Sequence, residues 1–240
     1  MIQFLRVGRM AGGRLVPARI SFEVKTGELV RVSGPSGSGQ SLLVRMALGV
    51  VAPTTGTVLV NGVNPFKLSA GTRQGLRRLL GPVLDDEEPL RVPADAWVAL
   101  GVWCAGRPWT AALGAAREAL DRAGLGGLAG ESVARLPRGD RFALALVRAL
   151  VRRPHAMLVD WRDAAASPPP EALRAEIDSY ITGGGAVLMT GESPEGGWPV
   201  PTRVERLAAP ADPPPVVASV EPETGAAVGP PAPPPPGDPA

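Results

Sequence analysis

Leu29-Val30-Arg31-Val32-Ser33-Gly34-Pro35-Ser36-Gly37-Ser38-Gly39-Gln40-Ser41 is the stretch on which the fold turns. Leu29, Val30 and Val32 read as a short strand, and the glycines at 34, 37 and 39 then break it. From Ser41 the apolar residues Leu42, Leu43, Met46 and Ala47 recur at helical spacing, which predicts a helix over residues 41–50. Strand, glycine-rich turn and helix in direct succession make a cradle for phosphate. Glycines let backbone N–H groups approach the oxygens, and the helix turns its positive end to the same place.

The run matches the phosphate-binding P-loop at every position but one: where that pattern needs Lys, this chain has Gln40. The candidate binding residues are therefore Gly34, Pro35, Ser36, Gly37, Ser38, Gly39, Gln40 and Ser41, with the Ser41 hydroxyl placed for a phosphate-bound Mg2+. An amide can donate a neutral hydrogen bond but brings no charge. Charge-assisted bonds are about twice as strong as neutral ones, so ground-state phosphate binding is expected to weaken by ~1–3 kcal/mol. The loss in a phosphoryl-transfer transition state is larger, because charge redistributes there.

Working outward, residues 2–7 and 20–24 alternate as strands, residues 53–56 form a turn, and residues 57–60 read as a further strand. Residues 69–135 become mainly helical and read as an insertion; residues 111–123 are its clearest helix, with Ala112, Ala115, Ala116, Ala119 and Leu120 on one side. A second helix over 140–153 stops at Pro154, and the short apolar runs 156–159 and 186–189 read as buried strands. Strands alternating with helices predict an α/β fold with a mostly parallel sheet.

With 240 residues the chain holds one sizeable domain plus an appendage. We place that domain at 1–207, with a helical insertion at about 69–138, and a Pro-rich tail at 208–240. The tail holds Pro213-Pro214-Pro215 and prolines 233–236, lacks aromatic residues, and is expected to be disordered, as a linker or as a ligand for a partner groove. All 25 basic residues precede 207; residues 1–206 carry +6 and the tail −4. Because the arginines are scattered, no nucleic-acid partner is expected. The single cysteine, Cys104, excludes an internal disulfide framework and fits a reducing compartment. The first residues lack the pattern of a secretory leader, and no run approaches the ~18 apolar residues of a membrane span, so any membrane role is expected to come through a partner.

Five landmarks in order give the sequence a family resemblance. After the P-loop come Arg77-Arg78 with Leu79-Leu80-Gly81-Pro82-Val83-Leu84-Asp85, then Leu136-Pro137-Arg138-Gly139-Asp140, then Met157-Leu158-Val159-Asp160, then Val187-Leu188-Met189. Over about residues 1–195 this resembles the nucleotide-binding subunits of ABC transporters, and among them the cell-division FtsE type and its lipoprotein-release and macrolide-export relatives. The resemblance implies a P-loop NTPase domain with an N-terminal β subdomain and a helical insertion. It implies ATP and Mg2+ as ligands, a homodimer or heterodimer with another such subunit, and a membrane permease-type partner. That would put the chain in the cytoplasm, peripheral at the inner face of the cell membrane.

Carried over residue by residue, the resemblance gives Asp160 as the carboxylate that organises magnesium and Asp85 at the position of the Q-loop glutamine, a further metal candidate. Several positions depart from it. Pro137 and Arg138 replace the serine and first glycine of the signature, and Trp161 stands where a glutamate would polarise water. Glu192 takes the place of the switch histidine, and no aromatic for adenine occurs near Met10 and Ala11. No catalytic residue is therefore assigned. Asp140 is expected to serve the helix N-terminus, and His155 to be structural. Trp97, Trp103 and Trp109 could anchor the permease, although buried core is their default role. Three functions stay open: a non-catalytic subunit of structural or regulatory role, half of an ATPase whose partner is intact, and a soluble interaction protein that uses its tail.

Overall fold

The computed structural model describes residues 1–84, 89–160, 169–191 and 201–208. The tail expected to be disordered lies, from residue 209 on, outside the described residues. Strands β1 (Ile2–Ala11) and β2 (Arg14–Val24) form a hairpin around Gly12 and Gly13. They combine with β4 (Thr55–Val60) in an antiparallel sheet of order β2-β1-β4. A second sheet, wholly parallel, has the order β5-β6-β7-β3-β8. Its strands are β3 (Leu29–Ser33), β5 (Leu80–Leu84), β6 (Ala156–Asp160), β7 (Ala186–Thr190) and β8 (Arg203–Arg206). The helices are α1 (Gln40–Ala47), α2 (Ala70–Arg78), α3 (Ala94–Trp103), α4 (Trp109–Arg122), α5 (Arg138–Leu150) and α6 (Glu171–Thr182).

The parallel sheet is buried on both faces, so its strands read as unbroken apolar runs while their side chains still alternate. Leu29, Met157, Val159, Val187 and Met189 face one core with Trp97, Leu146, Leu173 and Ile177 from the helices. Val30, Val32, Ala156, Leu158, Ala186 and Leu188 face the other, shared with Leu43 and Met46 of α1 and with Phe4 and Phe22 of the antiparallel sheet. Leu158 is wholly inaccessible, and truncating such a side chain to alanine costs ~2–5 kcal/mol.

The expected α/β architecture is the one observed, with local differences, among them strand β8, which the sequence reading did not mark. Residues 80–84, inside the span read as a helical insertion, are edge strand β5, paired with β6. Gly81 and Pro82 disguise it, because proline in a strand is tolerated at an edge, where no donor is needed. Helix α5 begins at Arg138, two residues before the expected start, since Pro137 fixes the backbone just ahead of it. Helix α1 ends at Ala47 rather than near 50. No helix among the described residues is long and apolar enough to cross a membrane.

Candidate functional site

The C-terminal ends of β3, β7 and β6 lie side by side, and the candidate site is built there, at the edge where parallel sheets usually hold ligands. Beyond β3 the chain turns tightly. A Cβ on Gly34 would stand 2.7 Å from Ser38 Oγ and 2.9 Å from Leu207 Cβ, so only glycine fits. The Ser38 N–H donates to the Pro35 carbonyl at 3.1 Å, closing the loop. Gly39 caps α1 at φ 95, and a Cβ there would lie 2.8 Å from both Pro17 and Val16 Cγ1, so the β1–β2 hairpin seats directly on the loop. The strand–loop–helix cradle is thus present as the sequence predicts.

Gln40 is the first residue of α1 and half-buried. Its Nε2 donates to the Gly34 carbonyl at 2.5 Å, and its Oε1 accepts the Gly191 N–H at 3.0 Å. One carboxamide therefore joins the start of the loop to the residue just past β7. Ser41 Oγ donates to Asp160 Oδ1 at 2.8 Å, and Thr190 Oγ1 donates to the same oxygen at 2.8 Å. Thr190 and Asp160 are register partners across β7 and β6, both buried. Ser41 and Asp160 supply hard oxygen donors side by side, a set that suits a Mg2+ carried in with phosphate. Neither Thr190 nor Gly191 was marked by the sequence. Their only signal in the sequence is that they directly follow the apolar run 186–189.

A cavity of about 900 Å³ opens over these groups. Gly34, residues 36–42, Asp160, Thr190 and Gly191 line it, joined by Ala11, Gly12, Arg14 and Val16 of the hairpin and by Arg45 of α1. Pro35 is not in the wall; its part is the carbonyl that closes the loop. Arg14 and Arg45, which the sequence did not mark, put two guanidinium groups in a wall whose only carboxylate among the described residues is Asp160.

The other expected residues fall elsewhere. Asp85, Trp161 and Glu192 lie outside the described residues. Pro137 and Arg138 are exposed at the start of α5 and line no part of this cavity, while Asp140 sits in the first turn of that helix, as expected for an acidic residue there. His155 is exposed, with Nδ1 3.3 Å from Asn61 Nδ2. Trp97 is core, with the Arg148 guanidinium 4.0 Å over its ring. Against the default expectation, Trp103 and Trp109 are exposed and meet edge to face at 6.3 Å. Among the described residues no group of three or more His, Cys, Asp or Glu could hold a metal.

These features define a P-loop nucleotide-binding domain. The family model described as ABC transporter matches residues 18–161, and the chain belongs to that family, as its ATP-binding domain. It is similar to the methionine import ATP-binding protein of Caulobacter vibrioides, 33% identical over 171 residues, covering 70% of this chain and 52% of the relative. It is also similar to the zinc import ATP-binding protein of Paramagnetospirillum magneticum, 36% identical over 178 residues, covering 72% and 58%. The lipoprotein-releasing ATP-binding protein of Shewanella frigidimarina is 34% identical over 143 residues, covering 59% and 60%. The chain thus spans about half the length of the methionine-import relatives it matches, 52% and 42%. Among solved structures, a bacterial ABC transporter cassette in dimeric form superposes with a TM-score of 0.75 at 22% identity, over 87% of this chain and 94% of the other. That likeness concerns the fold.

Proposed function

We propose that this chain is a degenerate, FtsE-like ABC subunit that binds Mg-ATP weakly, turns it over little or not at all, and serves a membrane permease-type partner in a structural or regulatory role. On this reading it works at the inner face of the cell membrane, in a dimer with a second ATP-binding subunit. One observation carries the proposal: the residue in place of the phosphate-binding lysine is spent inside the protein. Gln40 donates from Nε2 to the Gly34 carbonyl and, at 3.5 Å, to Ser38 Oγ, accepts the Gly191 N–H on Oε1, and brings no charge to the cradle. Other positions in the sequence support the same reading. Trp161 follows Asp160 where an acidic water-orienting group belongs, Glu192 would oppose a γ-phosphate, and Pro137-Arg138 lacks the hydroxyl and the close backbone approach of a signature loop.

The direct test is calorimetric titration of Mg-ATP together with phosphate release by the purified chain. One lost charge-assisted contact is worth ~1–3 kcal/mol, or about 5- to 150-fold in affinity, so binding weaker than micromolar and no release above a contaminating-ATPase control are expected. A submicromolar dissociation constant would overturn weak binding. Turnover that appears only on adding an intact partner subunit would favour a composite ATPase instead.

A further inference from the structure

We propose that the exposed pair Trp103 and Trp109 docks the chain's own proline run at residues 230–239, whether or not the cavity binds nucleotide. Trp103 is the last residue of α3 and Trp109 the first of α4, and the loop between them turns at Gly106, whose φ is 96. The two residues are 49% and 40% exposed, and their rings meet at 87° with centroids 6.3 Å apart. The edge of one ring set against the face of the other leaves an apolar notch open to solvent. Neither ring belongs to either hydrophobic core, so core packing does not account for them. Aromatic notches of this kind suit polyproline segments, because pyrrolidine rings pack on aromatic faces and a polyproline helix is ordered before it binds.

The chain carries such a segment. Every third residue from 230 to 239 is proline, namely Pro230, Pro233, Pro236 and Pro239. A polyproline-II helix has three residues per turn and rises about 3.1 Å per residue, so these prolines form one edge about 28 Å long. Nowhere else after residue 208 does that spacing persist beyond two prolines. The chain from Ala208 to Pro230 spans ~75 Å at full stretch, against a radius of gyration of ~17 Å for a domain of this size, so the run can reach any face of it. Tethered in this way its local concentration is on the order of millimolar, enough to fill a weak site. Charge agrees. After residue 208 the sequence has Asp212, Glu221, Glu223 and Asp238 and no Lys or Arg, whereas no acidic residue occurs between Asp95 and Glu118. Arg107 is exposed in the loop between the two rings, and the Arg152 side chain passes beside Gly101 of α3, its Cδ 3.6 Å from where a Cβ would be. An acidic proline run thus meets an apolar notch with a basic rim.

The test is heteronuclear NMR of the full chain, read from both sides of the contact. Pro233→Ser combined with Pro236→Ser alters the tail alone, and is expected to shift the indole N–H signals of Trp103 and Trp109 while that of the core residue Trp97 stays in place. Trp103→Ser combined with Trp109→Ser is expected to shift the amide signals of Ala232, Gly237 and Ala240 and to leave those of Ala218 and Ser219 unmoved. Both rings are exposed, so this variant is expected to melt like wild type; should it not fold, the tail variant still decides. Docking within one chain keeps these signals where they are on about tenfold dilution, because the tether fixes the local concentration. Indole signals that ignore the tail variant would overturn the proposal. Shifts that vanish on dilution would place the run of a second copy on the pair, and so overturn docking within one chain.

Discussion

Replacing Gln40 by Lys exchanges a neutral amide for an ammonium at the start of α1, which can keep the hydrogen bonds this side chain donates, to Gly34 and Ser38, and forfeits the one it accepts. Lysine can still donate to the Gly34 carbonyl, as Gln40 does at 2.5 Å, but it accepts nothing, so the Gly191 N–H loses the Oε1 it now meets at 3.0 Å. A neutral hydrogen bond contributes ~0.5–1.5 kcal/mol net, and each kcal/mol moves the melting temperature of a chain this size by ~2–4 °C. The variant is therefore expected to melt a few degrees lower without ligand. With ligand, a positive charge at the cradle strengthens phosphate binding by ~1–2 kcal/mol, which is about tenfold in Mg-ATP affinity. Hydrolysis is not expected to return, because on the proposed reading Trp161, Glu192 and Pro137-Arg138 are still in place, and groups that act as a unit recover little when one is repaired. Calorimetry in the scanning and titration modes, with phosphate release at saturating Mg-ATP, reads all three effects. A variant that melts higher and binds no better would refute the roles given to Gln40. Turnover above background that Asp160→Asn abolishes would refute the non-catalytic reading.

Gly39→Ala tests the seating of the hairpin on the loop. At φ 95, with backbone and side-chain atoms of Pro17 and Val16 2.8 Å from the new methyl, it is expected to cost at least ~2 kcal/mol, seen as a fall in melting temperature of ~4–8 °C; an unchanged melting temperature would mean that the contact gives way freely. A pH dependence follows from Tyr180, whose phenol donates to the Pro154 and Ala186 carbonyls at 3.1 and 3.3 Å and is pushed up to about 12 by burial. The folded chain keeps this proton where the unfolded chain, with a phenol near ~10, gives it up, so the stability it contributes is complete below pH ~10 and is lost as pH rises towards 12. Tyr180 is the single tyrosine, so ultraviolet titration of tyrosinate reports it alone; a midpoint near 10 in the folded protein would contradict the buried, bonded phenol. Tyr180→Phe should correspondingly flatten the alkaline fall in melting temperature.

Much of the molecule was legible because its signals are local. The β3–loop–α1 unit is contiguous in sequence, and one steric reason for its glycines lies within it, Gly34 against Ser38, while Leu207 and the hairpin residues Val16 and Pro17 supply others from outside. Runs such as residues 156–159 and 186–189 announce buried strands by composition, because a sheet covered on both faces needs apolar side chains in both directions. Strand β5 did not announce itself, since Gly81 and Pro82 suppress the apolar pattern and only its pairing with β6 makes it a strand. Trp103 and Trp109 show the converse: their type suggests core, but their place where α3 ends and α4 begins leaves them exposed.

Reading the residues in order was enough to expect a strand, a glycine loop and a helix with Gln40 at the lysine position, and the family resemblance added Asp160 beside Ser41. What Gln40 touches came from the folded molecule, because Gly191 is 151 residues away and reaches it through the adjacency of β3 and β7. The same holds for Thr190, aligned with Asp160 by strand register, and for Arg14, brought to the cavity by a hairpin that packs on Gly39. Local pattern encodes secondary structure through propensity and periodicity. The neighbours of a side chain across a sheet are set by strand order and register, which no single window of sequence contains.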